Sequence, residues 1–493
     1  MKDRSLYTVA QVRAFDRAAI ERYGIDGYVL MQRAAAAAFA RLRARWPHAR
    51  SVTVACGGGN NGGDGYVLAR LARAAQFQVH LVSLDAPRSG SDAARACADW
   101  IAAGGAVLGV DAPLPDADVL VDAIFGTGLT RAPEGAARHW IETLNAAARP
   151  LLALDVPSGL DADTGAVSGA AVCAAETVSF VAHKRGLFTG AAADHCGVVT
   201  LDDLGIPAAA FAGTKADAML LDADALRAWL PVRYNNVHKG TFGHVLAIGG
   251  DSGMAGAIRL AGEAALRVGA GLVSVATRGA HVTALNAARP ELMARAVDGP
   301  QELDTMLDRA TVIAVGPGLG QRAWGHALWY SALASGKPTV LDADALNLLA
   351  RDAVALPAQC VLTPHPGEAA RLLGCDAQTV AADRFAAVRA LSRRFSAVAV
   401  LKGSGTLIAA PDGDVAICPW GNPGMASGGM GDVLTGVIAG LLAQGLDAWH
   451  AARAGVALHG LAGDAAARNG QAGSLAGDLF EPLRRLRNGL PVT

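Results

Sequence analysis

The stretch VTVACGGGNNGGDGYVLARLAR, residues 52–73, decides the fold class of this chain. Its first four residues form a short apolar run that is typical of a buried strand, and residues 56–65 form a glycine-rich loop. The residues from Tyr66 onward have the apolar spacing of a helix. A strand, a glycine-rich loop and a helix in this order predict one unit of a parallel α/β sheet.

Short apolar runs alternate with helical patterns on both sides of this stretch, which predicts an α/β chain with two doubly wound parallel domains. Two predicted helices, 9–23 and 28–46, come first. The predicted strands of the first half are 52–55, 79–84, 119–124, 151–156, 177–181 and 198–201. Those of the second half are 244–248, 272–276, 312–315, 339–341, 360–362 and 398–401, followed by a hairpin of 407–410 and 415–418. A weakly patterned, alanine-rich stretch from Pro207 to Pro231 separates the halves, and we expect domains 1–218 and 219–493.

Composition excludes several classes of protein. Of 493 residues, 52% are hydrophobic and 18% are charged, so the chain has ample material for buried cores and is not a disordered protein. The formal net charge of -1 gives no sign of a nucleic-acid or anionic-membrane partner. Seven cysteines without CxxC spacing argue against a disulfide framework. Without an apolar signal segment or membrane span, we expect a cytoplasmic, soluble enzyme that forms a homo-oligomer.

Polar side chains cluster at strand ends in the first half. Asp122 and Asp155 each end a predicted strand, Ser158 follows closely, and Asn61 and Asp64 lie in the glycine-rich loop. Because the carboxyl ends of parallel strands meet in one crevice, these groups can converge. Carboxylate, amide and hydroxyl oxygens suit a hard cation. The alternative for each acid alone is a helix cap or a solvated loop position.

Three motifs of this half, GGGNNGGDG (57–65), FGTG (125–128) and DVPSGLDADTG (155–165), resemble the NAD(P)H-hydrate epimerase domain over residues 8–215. The resemblance implies a Rossmann-like domain that interconverts the R and S forms of NADH and NADPH hydrated at nicotinamide C6, and that binds K⁺. It implies K⁺ ligands Asn61, Asp122 and Ser158, and we expect Asp155 to be the catalytic acid–base residue. The implied substrate contacts are Asn60, Asn61, Gly62, Gly63, Asp64, Gly126, Thr127, Gly128, Leu129, Thr130, Arg131, Ala132 and Asp155.

In the second half, GNPGMASGGMGD (421–432) precedes an apolar helix. Backbone N–H groups near residues 428–431 can stabilise a phosphoryl group in transfer, and Asp432 is placed to take a proton from an attacking hydroxyl. The alternative is a flexible loop with a helix-capping acid. Loops 249–257, 363–368 and 402–406 also follow predicted strands and offer backbone donors. Asp342 and Asp344 at another strand end are expected to support this site or to bind a cation.

Six motifs in order resemble the ribokinase-like NAD(P)H-hydrate dehydratase over residues 225–490: KGTFG (239–243), GPGLG (316–320), DADALN (342–347), TPHPGE (363–368), KGSGT (402–406) and GGMGD (428–432). The resemblance implies an enzyme that uses ADP, with Mg²⁺, to convert the S hydrate to NAD(P)H, releasing AMP and phosphate. It implies that Ala257, Gly318, His365 and Asp432 face the hydrate. The implied nucleotide contacts are Lys402, Gly403, Ser404, Gly405, Thr406 and Gly431.

Together these two resemblances imply a nicotinamide-nucleotide repair enzyme whose substrates are NADH hydrate (NADHX), NADPH hydrate (NADPHX) and ADP, and we expect Asp155 and Asp432 to be its two catalytic acids. One alternative is a ribokinase-like small-molecule kinase fused to a non-catalytic binding domain. The two differ in product, because a kinase releases a stable phosphate ester whereas the dehydratase releases inorganic phosphate and a dihydronicotinamide.

Overall fold

The computed structural model describes residues 4–129 and 131–492. The chain divides into two compact units, Met1–Met219 and Leu220–Thr493. Each unit is an α/β structure built around its own parallel sheet. Within the described residues, no helix is both long and apolar enough to cross a membrane.

The first unit contains a six-stranded, fully parallel sheet. Including three short strands outside this sheet, the strands of this part of the chain are β1 (Ser5–Tyr7), β2 (Ser51–Cys56), β3 (Gln78–Ser83), β4 (Val119–Ala123), β5 (Leu151–Leu154), β6 (Glu176–Phe180), β7 (His183–Lys184), β8 (Val198–Asp202) and β9 (Ala218–Leu220). Its helices are α1 (Val9–Glu21), α2 (Gly27–Arg45), α3 (Asn60–Ala74), α4 (Asp92–Ala102), α5 (Gly135–Ala146) and α6 (Ala192–His195). The sheet order is β3-β2-β4-β5-β6-β8, while β1 pairs with β7 and β9.

The order of the first sheet places a crevice beside the glycine-rich segment. The chain runs outward from β2 to β3 and then returns to the other side of β2 to form β4. In doubly wound sheets, ligands bind where the strand order reverses, outside the carboxyl ends of the strands. The turns that follow β2 and β4 therefore line the expected binding crevice.

The second unit has the strand order β12-β11-β10-β13-β14-β15-β16-β17-β18. Its strands are β10 (His244–Ile248), β11 (Leu272–Thr277), β12 (Met293–Ala296), β13 (Val312–Val315), β14 (Thr339–Leu341), β15 (Cys360–Leu362), β16 (Val398–Leu401), β17 (Thr406–Ala409) and β18 (Val415–Cys418). Its helices are α7 (Ala223–Trp229), α8 (Ala255–Arg267), α9 (Val282–Ala288), α10 (Pro300–Arg309), α11 (Ala323–Ala334), α12 (Asp344–Arg351), α13 (Pro366–Leu373), α14 (Ala377–Ala382), α15 (Arg384–Phe395), α16 (Met430–Ala443), α17 (Ala448–Ala466) and α18 (Phe480–Arg487). The strands from β12 to β16 are parallel, and β16, β17 and β18 form an antiparallel meander.

Helix α16 forms the centre of the second unit because almost every residue in it is apolar and buried. It packs closely against α8, and a methyl group added to Gly436 would overlap the backbone carbonyl of Ala261. This close packing positions the first turn of α16, which contains Asp432, relative to the sheet.

The predicted α/β class and the predicted strands are confirmed, with bounds that shift by one or two residues. The structure differs from the prediction in several details, including the short strands β1 and β7, which were not predicted. Helix α3 begins at Asn60 and not at Tyr66. The weakly patterned stretch 207–231 contains two short elements that were not predicted, β9 and α7. The edge strand β12 was not predicted because it is short and largely exposed, so it lacks the apolar run of a buried strand.

The glycines at the start of α3 are needed for close packing inside a helix and not for a flexible loop. A methyl group on Gly62 would overlap the carbonyl oxygen of Gly57, and one on Gly65 would lie 2.7 Å from the Cys56 sulfur. The helix can therefore start directly behind β2 only without side chains at these positions, although glycine lowers helix propensity by about 1 kcal/mol.

We predict that Gly62→Ala destabilises the first unit by about 1–3 kcal/mol, because the added methyl group forces the backbone apart. Alanine has a higher helix propensity than glycine, so a decrease in stability would show that the steric overlap outweighs the gain in propensity. Urea unfolding measures the change. Gly128→Ala is the control, since a methyl group there meets nothing within 4 Å and should change stability by less than about 0.5 kcal/mol. An unchanged or raised stability of Gly62→Ala would contradict the prediction.

Candidate active sites

The carboxyl edge of the first sheet opens into a cavity of about 790 Å³. Helices α1 and α2, the start of α3, and residues beyond β3, β4, β5 and β6 form its walls. Of the predicted substrate contacts, those that line the cavity are Asn60, Asn61, Asp64, Gly126, Thr127, Gly128 and Asp155. Gly62 and Gly63 are buried inside α3. Leu129, Arg131 and Ala132 follow the lining residue Gly128 in the sequence but do not line the cavity. The predicted contact Thr130 lies outside the described residues.

Asp155 is held in place by its backbone and by a buried lysine. Its φ of 67° is left-handed, and its N–H donates to the carbonyl of Val178 at 2.8 Å. The ammonium of Lys184, whose side chain is 1% exposed, donates to the Asp155 carboxylate and to the Phe180 carbonyl at 2.8 Å. Lys184 therefore neutralises this carboxylate and orients it toward the cavity. Sequence reasoning did not select Lys184, although lysine is rare in this chain.

Two further carboxyl groups share this cavity with Asp155. Burial raises the pKa of Asp64 well above its usual range, and the charges of Asp155 and Asp16 raise it further while Lys184 opposes them. Burial also raises the pKa of Asp16, on α1, to about 6 against the attraction of Lys184. The cavity can therefore hold protons on carboxyl groups near neutral pH, which suits acid–base chemistry. Asp16 lies far from the motifs in sequence and was not predicted.

Asp122 and Ser158 form a buried pair behind the turn that follows β4. The Asp122 carboxylate accepts hydrogen bonds from the Ser158 hydroxyl at 2.6 Å and from the Ser158 N–H at 2.7 Å. Burial raises the pKa of Asp122 to about 6, although these hydrogen bonds lower it. The N–H of Phe125 donates to the Ser158 hydroxyl oxygen at 2.8 Å, so the pair supports the turn that contains Gly126.

Asn61 provides an independent sign of a ligand. Its side chain is buried, yet neither its amide oxygen nor its amide nitrogen has a hydrogen-bond partner. A methyl group on Gly126 would lie 3.4 Å from the Asn61 amide carbon and 3.2 Å from an Asp155 oxygen, so these residues meet at one point. Buried polar groups are almost always satisfied. A cation that takes oxygen ligands would satisfy the amide oxygen of Asn61.

A partly buried lysine, Lys402, and a buried strand-end aspartate form the centre of the second site. Asp342, which follows β14, accepts hydrogen bonds from the Lys402 ammonium at 2.8 Å and from the Thr435 hydroxyl at 2.8 Å. Burial alone would raise the pKa of Asp342, but Lys402 lowers it below the usual range. The pKa of Lys402 is raised because the attraction of Asp342 and Glu368 outweighs its burial. Both groups are therefore charged.

Asp432 lies in the first turn of α16, close to this pair. A methyl group on the preceding residue, Gly431, would lie 3.2 Å from the Lys402 nitrogen. Burial raises the pKa of Asp432 to about 7, the charge of Asp342 raises it as well, and Lys402 lowers it. An acid with this pKa can accept a proton at neutral pH and return it, as a general base requires.

His365 caps the N-terminus of α13. Its Nδ1 accepts hydrogen bonds from the N–H groups of Gly367 at 3.0 Å and Glu368 at 3.4 Å, and its Nε2 lies 3.4 Å from a Glu368 oxygen. The other Glu368 oxygen lies 3.8 Å from the Lys402 nitrogen. Glu368 thus connects the predicted hydrate contact His365 to Lys402.

The predicted nucleotide segment 402–406 follows β16 directly. The Lys402 N–H donates to the Pro364 carbonyl at 2.9 Å, and the Thr406 hydroxyl closes the turn on the Gly403 carbonyl at 2.8 Å, with Ser404 and Gly405 between them. Arg384 donates a hydrogen bond to the Lys402 carbonyl at 3.3 Å. The segment is therefore a fixed turn that starts at Lys402.

The remaining predicted contacts, Ala257 and Gly318, lie against each other. Gly318 has a φ of 58°, and a methyl group there would lie 3.4 Å from the Ala257 side chain. Gly250 donates to the carbonyl of Pro317 at 3.0 Å, which joins the turns after β10 and β13 where the strand order reverses. Asp344 accepts hydrogen bonds from the Gly320 N–H and the Gln321 side chain, so it stabilises the turn after β13.

Each unit thus places paired charges, a raised-pKa acid and glycine turns at the carboxyl edge of a parallel sheet, which defines the chain as a two-site α/β enzyme. A family profile described as NAD(P)H-hydrate dehydratase matches residues 245–485, and one described as YjeF-related protein N-terminus matches residues 27–186. The bifunctional NAD(P)H-hydrate repair enzyme of Coxiella burnetii is 47% identical over 98% of this chain and 99% of its own length. The chain belongs to the family of bifunctional NAD(P)H-hydrate repair enzymes, which combine an epimerase with a dehydratase.

Solved structures resemble the second unit. The ADP/ATP-dependent NAD(P)H-hydrate dehydratase of Bacillus subtilis, co-crystallised with ATP and Mg²⁺, is 34% identical with a TM-score of 0.50 and covers 54% of this chain and 97% of its own. A ribokinase-like superfamily protein of Enterococcus faecalis is 30% identical with a TM-score of 0.52, covering 56% of this chain and 97% of its own. The second unit is therefore ribokinase-like, and hydrate repair, not a kinase fused to a binding domain, is the function of the family.

We predict that Lys402→Met destabilises the second unit by about 3–5 kcal/mol at neutral pH, because it leaves the buried Asp342 carboxylate without its counter-charge. Adding Asp342→Asn should recover part of this loss in a double-mutant cycle. The native pKa of Asp342 is lowered, so its stabilising effect is present above its unfolded pKa and is lost as the pH falls. The decrease in unfolding free energy caused by Lys402→Met should therefore become smaller as the pH falls.

Chemical unfolding at several pH values measures these free energies. Lys337→Met is the matched control, since Lys337 donates to the Ala310 carbonyl at 2.7 Å and its removal should cost at most about 1.5 kcal/mol. If the free-energy costs of Lys402→Met and Asp342→Asn are additive in the double mutant, the predicted coupling between Lys402 and Asp342 is wrong.

Proposed function

We propose that residues 1–218 form the NAD(P)H-hydrate epimerase and residues 219–493 the ADP-dependent dehydratase, with Asp155 and Asp432 as their catalytic acids. One observation supports this division above the others. Each unit has its own acid at a strand or helix end, and each acid lies beside a lysine that is fully buried in the first unit and partly buried in the second. The dehydratase profile, which matches only residues 245–485, agrees with the assignment of the second unit.

In the dehydratase, we propose that the C6 hydroxyl of the S hydrate attacks the β-phosphorus of ADP and that Asp432 takes the hydroxyl proton. The new O–P bond forms as the bond between the β-phosphorus and the bridging oxygen breaks, which releases AMP. The lone pair of the ring nitrogen then expels the phosphate from C6. Loss of a proton from C5 completes the double bond, so the products are NAD(P)H, AMP and inorganic phosphate.

The residues around Asp432 are suited to bind the nucleotide. The first N–H groups of α16, including that of Gly431, have no partner within the helix and can donate to a phosphoryl group. We propose that Lys402, Gly403, Ser404, Gly405 and Thr406 bind ADP and that Ala257, Gly318 and His365 contact the hydrate. Lys402 is a positioning residue that also places positive charge beside the transferred group.

Mg²⁺ is proposed to accompany the nucleotide rather than to occupy a protein cage. Among residues 4–129 and 131–492, no group of three or more His, Cys, Asp or Glu side chains is arranged to hold a metal ion. Mg²⁺ commonly uses one or two carboxylates together with substrate phosphates, so this donor set fits it. When bound, the ion neutralises phosphate charge.

In the epimerase, we propose that a protonated carboxyl group of the cavity donates to the leaving C6 hydroxyl while the ring nitrogen lone pair makes C6 planar. Water then adds to the opposite face and returns the proton. Asp155 is the proposed acid–base residue because Lys184 fixes its direction. Asn60, Asn61, Asp64 and residues 126–132 are the proposed substrate contacts, with Gly62 and Gly63 acting through their backbone.

We propose that Asn61, Asp122 and Ser158 bind K⁺. The unpartnered Asn61 amide and the buried oxygens of the other two residues support this assignment. When bound, the ion supplies a fixed positive charge behind the turn at Gly126.

Two activities in one chain have a chemical reason. Hydration of a dihydronicotinamide produces both epimers, whereas the proposed dehydratase accepts only one of them. The proposed substrates are NADHX, NADPHX and ADP, without a nucleic-acid or membrane partner. A cytoplasmic location and a homo-oligomeric state stay predictions from the sequence.

We predict that Asp432→Asn lowers the rate of NADH release from S hydrate by about 10²–10⁴-fold, because the attacking hydroxyl loses its base. Exchange between R and S forms should continue at the wild-type rate. Dihydronicotinamide absorbance follows release and chromatography follows exchange. Asp304→Asn, at an exposed position on α10, is the control with both activities intact. Loss of both activities in folded Asp432→Asn would contradict the two-site scheme.

The converse substitution tests the first site with a mixed R and S substrate. Asp155→Asn should consume the S form in the presence of ADP and then stop, because the R form is no longer converted. The wild type should consume both forms completely. Chromatography of the residual hydrate measures the difference, and parallel reactions with ATP compare the two nucleotides. Complete consumption by Asp155→Asn would show that this acid is not needed for epimerisation.

The raised pKa of Asp432 predicts a pH dependence of dehydration. An acid with a pKa of about 7 loses its proton as the pH rises, so the base form increases. We expect kcat/KM for dehydration to be about tenfold higher at pH 8 than at pH 6, with a midpoint near 7. Initial rates at low S-hydrate concentration measure this dependence. A flat or falling profile over this range would contradict Asp432 as the base.

A further inference from the structure

One end of the first cavity contains two acids that neither the catalytic proposal nor the cation site uses. Asp85 lies just beyond β3, and Asp92 begins α4; both line the cavity. A methyl group on Gly27 would lie 2.7 Å from an Asp92 oxygen, so Asp92 packs against α2. The cavity therefore extends from the strand end that precedes Asp155 to a second negative end beyond β3.

The sheet order determines what this end faces. Strands β3, β2, β4 and β5 are neighbours in that order, so β3 and β5 are three strands apart, about 14 Å. A dinucleotide with its reacting ring at Asp155, beyond β5, would cross the first turn of α3, beyond β2. Helix N-termini favour phosphate groups, so the diphosphate would lie there. The adenosine ribose would then lie beyond β3, beside Asp85.

The loop that contains Asp85 is held close to the glycine segment. A methyl group on Gly58 would lie 3.0 Å from the Ala86 carbonyl oxygen and 3.2 Å from the Asp85 side chain. Gly58 also lines the cavity. A ligand that lies on the glycine segment is therefore within reach of the Asp85 carboxylate.

Charge at this end favours a hydroxyl over a phosphate. A carboxylate accepts hydrogen bonds from ribose hydroxyls, as it does at the second strand of dinucleotide-binding folds, and it repels a phosphate. Asp92 adds a second negative charge. The cations that line the cavity, Arg13, Arg17 and Lys184, come from α1 and β7, and within the described residues none comes from the segment between β3 and α4 that contains Asp85 and Asp92.

We propose that Asp85 determines cofactor specificity in the first site: it accepts hydrogen bonds from the adenosine ribose hydroxyls of NADH hydrate and repels the 2′-phosphate of NADPH hydrate. This inference depends on the proposed epimerase function of the same cavity. It predicts that the first site prefers NADH hydrate, whatever the preference of the second site.

The test measures R-to-S conversion of each hydrate separately by chromatography, with full-length protein and without added nucleotide. The wild type should show a kcat/KM for NADHX at least about tenfold above that for NADPHX. Asp85→Asn should lower the value for NADHX by about tenfold or more and leave that for NADPHX unchanged or higher. Asp85→Glu, which keeps the charge, should retain part of the preference.

Asp111→Asn is the matched control because Asp111 is exposed and does not line the cavity. A purely structural role of Asp85 would lower both values by the same factor, and an unchanged ratio in Asp85→Asn or a wild-type preference for NADPHX would also overturn the inference. Absence of R-to-S conversion of either hydrate by the wild type would instead contradict the proposed epimerase. Urea unfolding of each variant reports whether the first unit is folded.

Discussion

The pairing of a lysine with an aspartate at the end of a parallel strand is the constraint on which both sites depend. Lys184 pairs with Asp155 and Lys402 pairs with Asp342. Each pair contains one fully buried charge, Lys184 or Asp342, that could not stay buried alone, because an unpaired buried ion costs several kcal/mol. The lysine thus ties the carboxyl end of one strand to a different part of the sheet, and the surrounding turns take their positions from that link.

This pairing also decides which acids can exchange protons. In the second unit, Lys402 keeps Asp342 ionised, and that fixed negative charge helps to raise the pKa of Asp432. In the first unit, Asp155 has the same influence on Asp64 and Asp16. In the second unit, burial therefore produces two kinds of carboxyl group, because Asp342 stays charged whereas Asp432 titrates near neutral pH. Acid–base assignments in an active site follow from such separations.

Sequence patterns predicted the parts of this structure that depend on local chemistry. Apolar runs predicted the buried strands, and the glycine-rich segments that follow β2 and β4 supply residues that line the first cavity. The start of α3 was misplaced because glycine normally argues against a helix, whereas here close packing against Gly57 requires it. Asp16 and Lys184 were missed because they come from segments without a motif and reach the cavity only through the tertiary fold. The roles of the individual site residues stay predictions.

The left-handed backbone of Asp155 has a consequence for how the first site is prepared. Among residues with a side chain, Asp and Asn enter this conformation most readily, because their short polar groups bond to nearby backbone atoms. The main chain itself therefore aims the carboxylate, and little rotational freedom is left for the side chain to lose when a ligand arrives. The entropic cost of orienting this group is therefore part of the free energy of folding and is not added in each catalytic cycle.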